Sequence, residues 1–271
     1  MKYLRYILYA LVILGAGALL AYQGIIEKSL ETDDIIKCGL IIAGAILGMV
    51  KKPKNRVANH KAFYQKAYAE HIQGAFEDNN KLERSFYNAI HDYNRNKLPA
   101  AVSKLEKLRK ECQRSADIRA VTVFMALSYD DMGLYEQAIH HYEAAAAIRP
   151  NSSIYSNMGL CYQRLGNSEA AEINYQRAIT IDSKNAFAYN NLSALYFRRA
   201  EYDKSLEYAR KSIEIDNHMP QALSTAALCC GLLKDWEGYE KYFRLAVANG
   251  YDGKYITATL QRLSESMAEN P

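Results

Sequence analysis

Residues of the same type recur at intervals near 34 along the second half of this chain. Tyr129, Tyr162 and Tyr196 are separated by 33 and 34 positions, and Cys230 follows 34 positions later. A period of this length is typical of stacked supersecondary units rather than of one globular core, and it predicts a long concave surface. Further pairs obey nearly the same step: Gly133 with Gly166, Ala138 with Ala171, Tyr142 with Tyr175, and Ala145 with Ala178.

Each unit contains two helical patterns. In the unit that begins near residue 152, Tyr155, Met158 and Tyr162 recur at intervals of three and four, which is the spacing of one helix face. Gly166 then interrupts the pattern, as expected at the end of a helix. A second stripe of small and apolar residues follows over 170–179. Each unit therefore predicts two helices joined by a short turn.

These units resemble the tetratricopeptide repeat family. The resemblance also rests on a third copy, with Tyr189, Leu192, Ser193, Tyr196, Ala200, Tyr202, Ser205, Ala209 and Ser212. In the fourth copy Lys234 replaces the turn glycine. The resemblance implies an all-α protein, a right-handed α-solenoid of about four to five helix-turn-helix repeats. The implied units are a degenerate repeat at 81–118, repeats at 119–151, 152–185, 186–219 and 220–250, and a C-terminal capping helix at 251–271.

Two apolar runs precede the repeats. Residues 6–22 are almost wholly apolar, and residues 35–50 are interrupted only by Lys37. Because a spanning helix needs roughly 17 to 25 apolar residues, residues 1–56 are predicted to form a transmembrane helical hairpin. Residues 57–80 are interpreted as a linker or an N-terminal capping helix that docks on the first repeat.

The charges predict the orientation of this hairpin. The connection at 23–34 holds four acidic residues and one Lys, whereas residues 51–61 hold five Lys or Arg. Since positive residues stay on the cytoplasmic side, we predict a multi-pass protein of the cell membrane with its repeats in the cytoplasm. The alternative is a cleaved signal peptide, because Ala16-Gly17-Ala18 imitates a cleavage site. The whole architecture resembles uncharacterised membrane-anchored tetratricopeptide repeat proteins of bacteria.

Composition disfavours several classes of function. The net charge is +4, but residues 57–271 hold 26 positive and 26 negative side chains, so the repeats lack the basic footprint of a nucleic-acid-binding protein. The five cysteines have no metal-ligand spacing, and reduced, packed thiols are the favoured interpretation. His140 and His141 are neighbours on a helix and point about 100° apart, which suits a solvated face better than a metal site. No catalytic motif is found, and no enzyme activity, metal or cofactor is predicted.

The family resemblance directs attention to the concave groove. In this family the first helix of each repeat lines the groove, which implies six candidate peptide-binding residues: Asn157, Arg164, Asn190, Asn191, Phe197 and Arg198. Asn157 and Asn191 occupy the place where related repeats hold the main chain of a ligand, and an amide can donate and accept at once. The two arginines suit a carboxylate.

Two features limit this interpretation. Leu160 and Ala194 stand where the carboxylate clamp of co-chaperone relatives wants polar side chains, so that clamp is not carried over. In the alternative interpretation, Asn157 and Asn191 only stabilise neighbouring helices and Phe197 only packs.

Two functions follow from the sequence. The first is a membrane-anchored cytoplasmic scaffold that binds a peptide or protein segment in the concave groove. The second is an assembly or accessory subunit of a membrane complex that acts mainly through its transmembrane hairpin.

Overall fold

The computed structural model describes residues 64–65 and 68–269. The all-α prediction is confirmed, because these residues form twelve α-helices and no strand. The helices are α1 Ala69–Ile72, α2 Asn80–Tyr93, α3 Leu98–Glu111, α4 Ser115–Asp131, α5 Tyr135–Ile148, α6 Ser152–Arg164, α7 Ser168–Ile181, α8 Ala186–Arg198, α9 Tyr202–Ile215, α10 Pro220–Leu232, α11 Trp236–Ala248 and α12 Gly253–Glu269.

Helices α2 to α11 pack as five successive pairs that stack on one another. The pair α2–α3 is the degenerate repeat, and we number the pairs that begin with α4, α6, α8 and α10 as the first to the fourth repeat. First helices also contact each other, α2 with α4, α6 with α8 and α8 with α10. Among the described residues, successive second helices make at most weak contact. The first helices therefore lie on the inner, concave side of the solenoid, and the second helices lie on its outer side.

The turn inside each repeat has one geometry, whatever residue it carries. Gly133 and Gly166 adopt φ of 74° and 80°, the left-handed region that glycine enters without steric cost. Ala200 and Lys234, at the equivalent positions, adopt φ of 59° and 62°. The stacking of the repeats thus imposes the turn even where the sequence has lost its glycine.

Close packing inside each repeat explains the conserved spacing of small and aromatic residues within this chain. Tyr142 and Tyr175 are fully buried, and each packs beside an alanine of its own helix, Ala138 or Ala171. A Cβ added at Gly159 would lie 2.6 Å from the Tyr175 ring, so α6 and α7 need glycine there to approach. The 34-residue period is therefore a packing period, in which a large ring fills the space that a small residue leaves.

A polar bridge joins the second and third repeats. Tyr196 and Arg199 both donate to the Glu172 carboxylate at 2.6 Å. Burial alone would raise the pKa of Glu172, but these two hydrogen bonds and the positive charge of Arg199 lower it below its ordinary value. The bridge ties α7 to the end of α8.

The last helix shields the end of the stack. Helix α12 packs on α10 and α11, with Ile256 fully buried and Leu260 8% exposed. Gly231 admits Leu260 closely, since a Cβ there would lie 2.6 Å from that side chain. The predicted terminal helix thus covers apolar surface of the fourth repeat that would otherwise face water.

Tyr64, Tyr68, Ile72 and Phe76 fall at steps of four, which predicts a helix before the repeats. In the structure the helix Ala69–Ile72 is followed by a turn, in which Gly74 and Phe76 have φ of 75° and 61°. Phe76 is nevertheless 4% exposed and packs on Phe86 with ring centroids 4.7 Å apart. Long-range packing of its side chain, rather than helical periodicity, fixes this segment.

The predicted membrane localisation requires correction. Across 64–65 and 68–269, no helix combines the length and the apolarity needed to cross a bilayer. The predicted spans 6–22 and 35–50, and the signal-peptide alternative, lie outside the described residues. The multi-pass assignment, with the orientation derived from it, is wrong for the part of the chain that the structure describes.

Candidate binding strip on the concave face

Helical geometry sorts the inner side chains of the first helices into columns. Residues three or four apart share a face of a helix. Equivalent places lie 33 residues apart between α4 and α6, and 34 apart between α6, α8 and α10. Three columns result across these four helices: Ala120, Ser153, Phe187 and Gln221; Phe124, Asn157, Asn191 and Thr225; Asp131, Arg164, Arg198 and Leu232. We call the members on α6, α8 and α10, with Asn190 beside them, the concave strip.

The columns are covered on α4 and open on the later helices. Ala120 and Phe124 are fully buried. By contrast, Asn157 and Asn191 are half-buried, and Phe187 is 68% exposed. The open part of the groove therefore begins at α6.

Asn157 lies next to the preceding repeat. Its amide lies near the hydroxyl of Tyr142, which is buried and forms no hydrogen bond with another described residue. Burial raises the pKa of Tyr142 well above its ordinary value, the nearby Asp130 carboxylate adds to this, and the Asn157 amide acts in the opposite direction. Asn157 thus has a structural neighbour, as the packing interpretation requires, while it stays half-open to the groove.

Asn190 and Asn191 form a pair at the middle of α8. The Asn190 side-chain nitrogen donates to Asn191 Oδ1 across 3.5 Å, which is a long hydrogen bond. Asn190 Oδ1 is buried and has no partner among the described residues. An unpartnered amide oxygen is costly in a protein interior.

Arg164 and Arg198 end the strip on the side of the helix C-termini, and both are exposed. Neither forms an ion pair with an acidic residue that the structure describes. Burial of the guanidinium and the like charge of Arg164 lower the pKa of Arg198, and the nearby Tyr175 acts against them. The two arginines are therefore neighbours, with Asp130 also close to Arg164.

Phe197 has a different environment from the other five candidates. Its ring makes an edge-to-face contact with Tyr202, at 5.6 Å between centroids, and it packs against the core of the fourth repeat. Half-buried in this way, it supports the packing interpretation rather than a ligand contact.

Phe187 is the aromatic side chain that the site prediction left out. With Glu70, Ser153 and Lys184, it lines a pocket of about 380 Å³ at the N-terminal ends of α6 and α8. Its 34-residue equivalence to Ser153 placed it on the inner face from the sequence alone. Its exposure depends on where the segment before α2 ends, which no local pattern reveals.

The strip thus carries amides and cations on one face, but at different places along the helices. Asn157 and Arg164 are seven residues apart on α6, or about 10 Å along the helix axis. Such a surface offers side-chain amide donors and acceptors at its centre, a positive edge at one side and an exposed ring at the other. This arrangement suits binding, and it assembles no nucleophile with a base.

Comparison with known proteins agrees with the fold. A family model described as "Tetratricopeptide repeat" matches residues 117–184 and 152–218. A TPR repeat-containing protein of Methanocaldococcus jannaschii is 32% identical over 80 residues, 30% of this chain and 14% of that protein. The Hsp70-Hsp90 organizing protein 3 of Arabidopsis thaliana is 28% identical over 96 residues, 35% of this chain and 17% of that protein.

A solved structure extends the likeness beyond these segments. YrrB, described as a TPR protein with an unusual peptide-binding site, superposes with a TM-score of 0.53, covering 73% of this chain and 97% of its own. At 16% sequence identity this likeness shows the fold alone. The alignments with the two curated relatives cover less than a fifth of either relative's length.

Proposed function

We propose that this chain, in which residues 117–218 are tetratricopeptide repeats, is a protein-interaction scaffold. Its ligand is a segment of a partner protein, held along the concave strip of α6, α8 and α10. The observation that carries the proposal is the contrast in exposure along equivalent positions. The inner face is sealed on α4, at Phe124, whereas the equivalent Asn157 on α6 and Asn191 on α8 remain half-buried.

The chemistry of the strip supports a polypeptide ligand. The Asn157 and Asn191 amides can each donate to a carbonyl and accept from an N–H, which matches the alternation of a peptide main chain. Arg164 and Arg198 suit an acidic side chain at one edge.

Relatives give this proposal independent support. Among the proteins similar to this chain, YrrB is described as having a peptide-binding site, and others are Hsp70-Hsp90 organizing proteins. Because repeat folds host many partners, we transfer from them only the class of ligand. The identity of the partner is set by the side chains of this strip.

Selection from a phage-displayed library of random peptides on the full chain tests the proposal. We expect enriched peptides with acidic residues, and a loss of affinity of at least about tenfold with the Asn157→Ala, Asn191→Ala double variant. Arg164→Ala with Arg198→Ala should relax the acidic preference. Gln176→Ala and Arg244→Ala, both exposed on second helices, are the matched controls and should bind as the wild type does.

Two outcomes would overturn the proposal. If no peptide is enriched, the strip is not a peptide-binding surface. If enriched peptides bind equally to all variants, they bind elsewhere. Because Asn157 neighbours a buried hydroxyl, urea unfolding of each variant must show that the fold is retained before affinities are compared.

A further inference from the structure

Residues 68–78, here named the N-terminal strap, lie against α4 and α2. The Tyr68 ring meets Phe124 edge-to-face, with centroids 4.9 Å apart, and its hydroxyl donates to Asn94 Oδ1 at 2.9 Å. Phe124 is fully buried, although it belongs to a helix of the concave side. The strap therefore covers surface that is open in the later repeats.

Side chains of α4 bind the main chain of the strap. Arg119 donates to the carbonyl oxygens of Glu70 and His71 at 3.4 and 3.2 Å. Asp117 accepts a hydrogen bond from the Phe76 amide at 2.6 Å. Both α4 side chains are nearly sealed, at 3% and 2% exposure. Recognition of main-chain groups by side chains of a first helix is how this face would hold a separate peptide.

Contacts of the strap extend into the second repeat. Ser153 on α6 donates to Glu70 Oε2 at 2.7 Å, and Arg149 donates to Gln73 Oε1 at 2.9 Å. Glu70 and Ser153 are 83 residues apart in the chain, so the contact is tertiary. The strap thus places the Tyr68 ring against α4 and the Glu70 carboxylate against α6, and it ends where the open strip begins.

The strap is not an additional repeat. Its helix has four residues, and Phe76 sits in the left-handed region, which is unfavourable for a bulky side chain. Packing on Phe86 and the hydrogen bond to Asp117 hold Phe76 there. The segment adopts a shape dictated by the surface that receives it, as a bound ligand does.

We propose that the N-terminal strap is an intramolecular ligand that occupies the concave face of the first repeat. It closes this part of the groove, so a partner segment binds the strip on α6, α8 and α10 alone. The same face accepts a peptide of the same chemistry in trans, an aromatic residue followed two positions later by an acidic one, once the strap is weakened. This inference does not depend on the ligand proposed for the open strip.

A synthetic peptide with the sequence of residues 68–78 is the probe. In the wild type, the tethered strap has an effective concentration of about millimolar order and excludes the peptide. In the full chain with Tyr68→Ala and Glu70→Ala, the strap is weakened while Arg119 and Asp117 remain. Fluorescence anisotropy should show the labelled peptide binding to this variant at least about tenfold more tightly than to the wild type.

Two matched controls identify the site. A peptide that itself carries Tyr68→Ala should not bind the weakened variant. Adding Arg198→Ala, which removes an exposed cation at the other end of the open strip, should leave peptide binding unchanged. Equal binding to the wild type and the weakened variant would place the peptide elsewhere and overturn the proposal, and so would binding to neither.

Hydrogen exchange separates a ligand from an integral part of the first repeat. If the strap is a ligand, exchange at the Phe76 amide accelerates in the weakened variant, whereas amides of α8 and α10 keep their protection. If amides of all the repeats exchange faster, the strap is part of the cooperative fold and the proposal fails. Neither result bears on peptide binding to the open strip, which is measured with library peptides.

Discussion

The first repeat and the two that follow it present equivalent positions to different surroundings. Phe124 and Asn191 are two repeats apart in one column, yet the first is fully buried and the second is half-buried. The helices that carry them have the same role in the stack. What differs is the N-terminal strap, which lies on α4 and stops at α6. A shared fold thus produces one sealed face and one available face.

This difference changes what polar side chains do. On α4, Arg119 and Asp117 are hydrogen-bonded to main-chain groups of the strap, and Arg119 also to that of Arg149. On α8, the Asn190–Asn191 contact is long, and Asn191 is half-buried. A sealed and hydrogen-bonded polar group stabilises the fold, while a half-buried one is available to a ligand.

The largest expected effect is on the sealed side. Arg119→Ala removes the donor of three partly buried carbonyl oxygens, so we expect a loss of about 2–4 kcal/mol in the free energy of unfolding. Phe187→Ala, on the open strip, should change it by no more than about 0.5 kcal/mol. Urea unfolding followed by circular dichroism measures both. Equal losses would erase the contrast between the two regions.

The next effect concerns the bridge that holds the open region together. Because the folded-state pKa of Glu172 is lowered, its stabilisation is present above the ordinary value of 4.5 and is lost as the pH falls through the lowered value. Glu172→Gln should lose about 1 kcal/mol at neutral pH and little at about pH 3. Glu169→Gln, an exposed neighbour on α7, is the control. A pH-independent loss would show that the bridge does not depend on ionisation.

The smallest effect should be confined to the strap. Burial lowers the pKa of His71, whose buried Nδ1 has no hydrogen-bond partner among residues 64–65 and 68–269; Glu70 opposes this shift and Arg119 reinforces it. Its neutral form is therefore favoured in the fold, and stability present above the ordinary pKa of 6.5 is lost as the pH falls below it. Between about pH 7 and pH 5 we expect the protection factor of the Phe76 amide, which corrects for the intrinsic pH dependence of exchange, to fall, and those of α10 amides to stay unchanged. His71→Phe should abolish this dependence.

The repeats were predictable because their information is local. Tyrosines, small residues and turn residues at a near-constant step predicted the helix pairs from residue 80 to residue 248 and the helix after them. The turn at Lys234 was predictable too, because its position in the period indicates a turn although the residue is not glycine. Local propensity and packing agree at these positions, so the pattern and the fold coincide.

The candidate site was only partly predictable. Asn157, Asn191, Arg164 and Arg198 lie on the strip where the repeat period puts them, but the period could not tell that Phe197 packs against the next repeat. Nor could it show that Phe187 is exposed. Both outcomes depend on what a neighbouring element covers. The predicted membrane setting rested on residues outside the described part of the chain.

The sequence by itself determined the repeating unit, because side chains three, four and 34 positions apart must pack together whatever the remainder of the chain does. Only the tertiary structure decided which part of the concave face is free. Residues 68–78 reach α4 and α6 across separations of 41 to 83 residues, through single contacts such as Phe76 with Asp117 and Glu70 with Ser153. Contacts of that range leave no periodic trace in a sequence, so the boundary between the sealed and open regions appears only when the chain is folded.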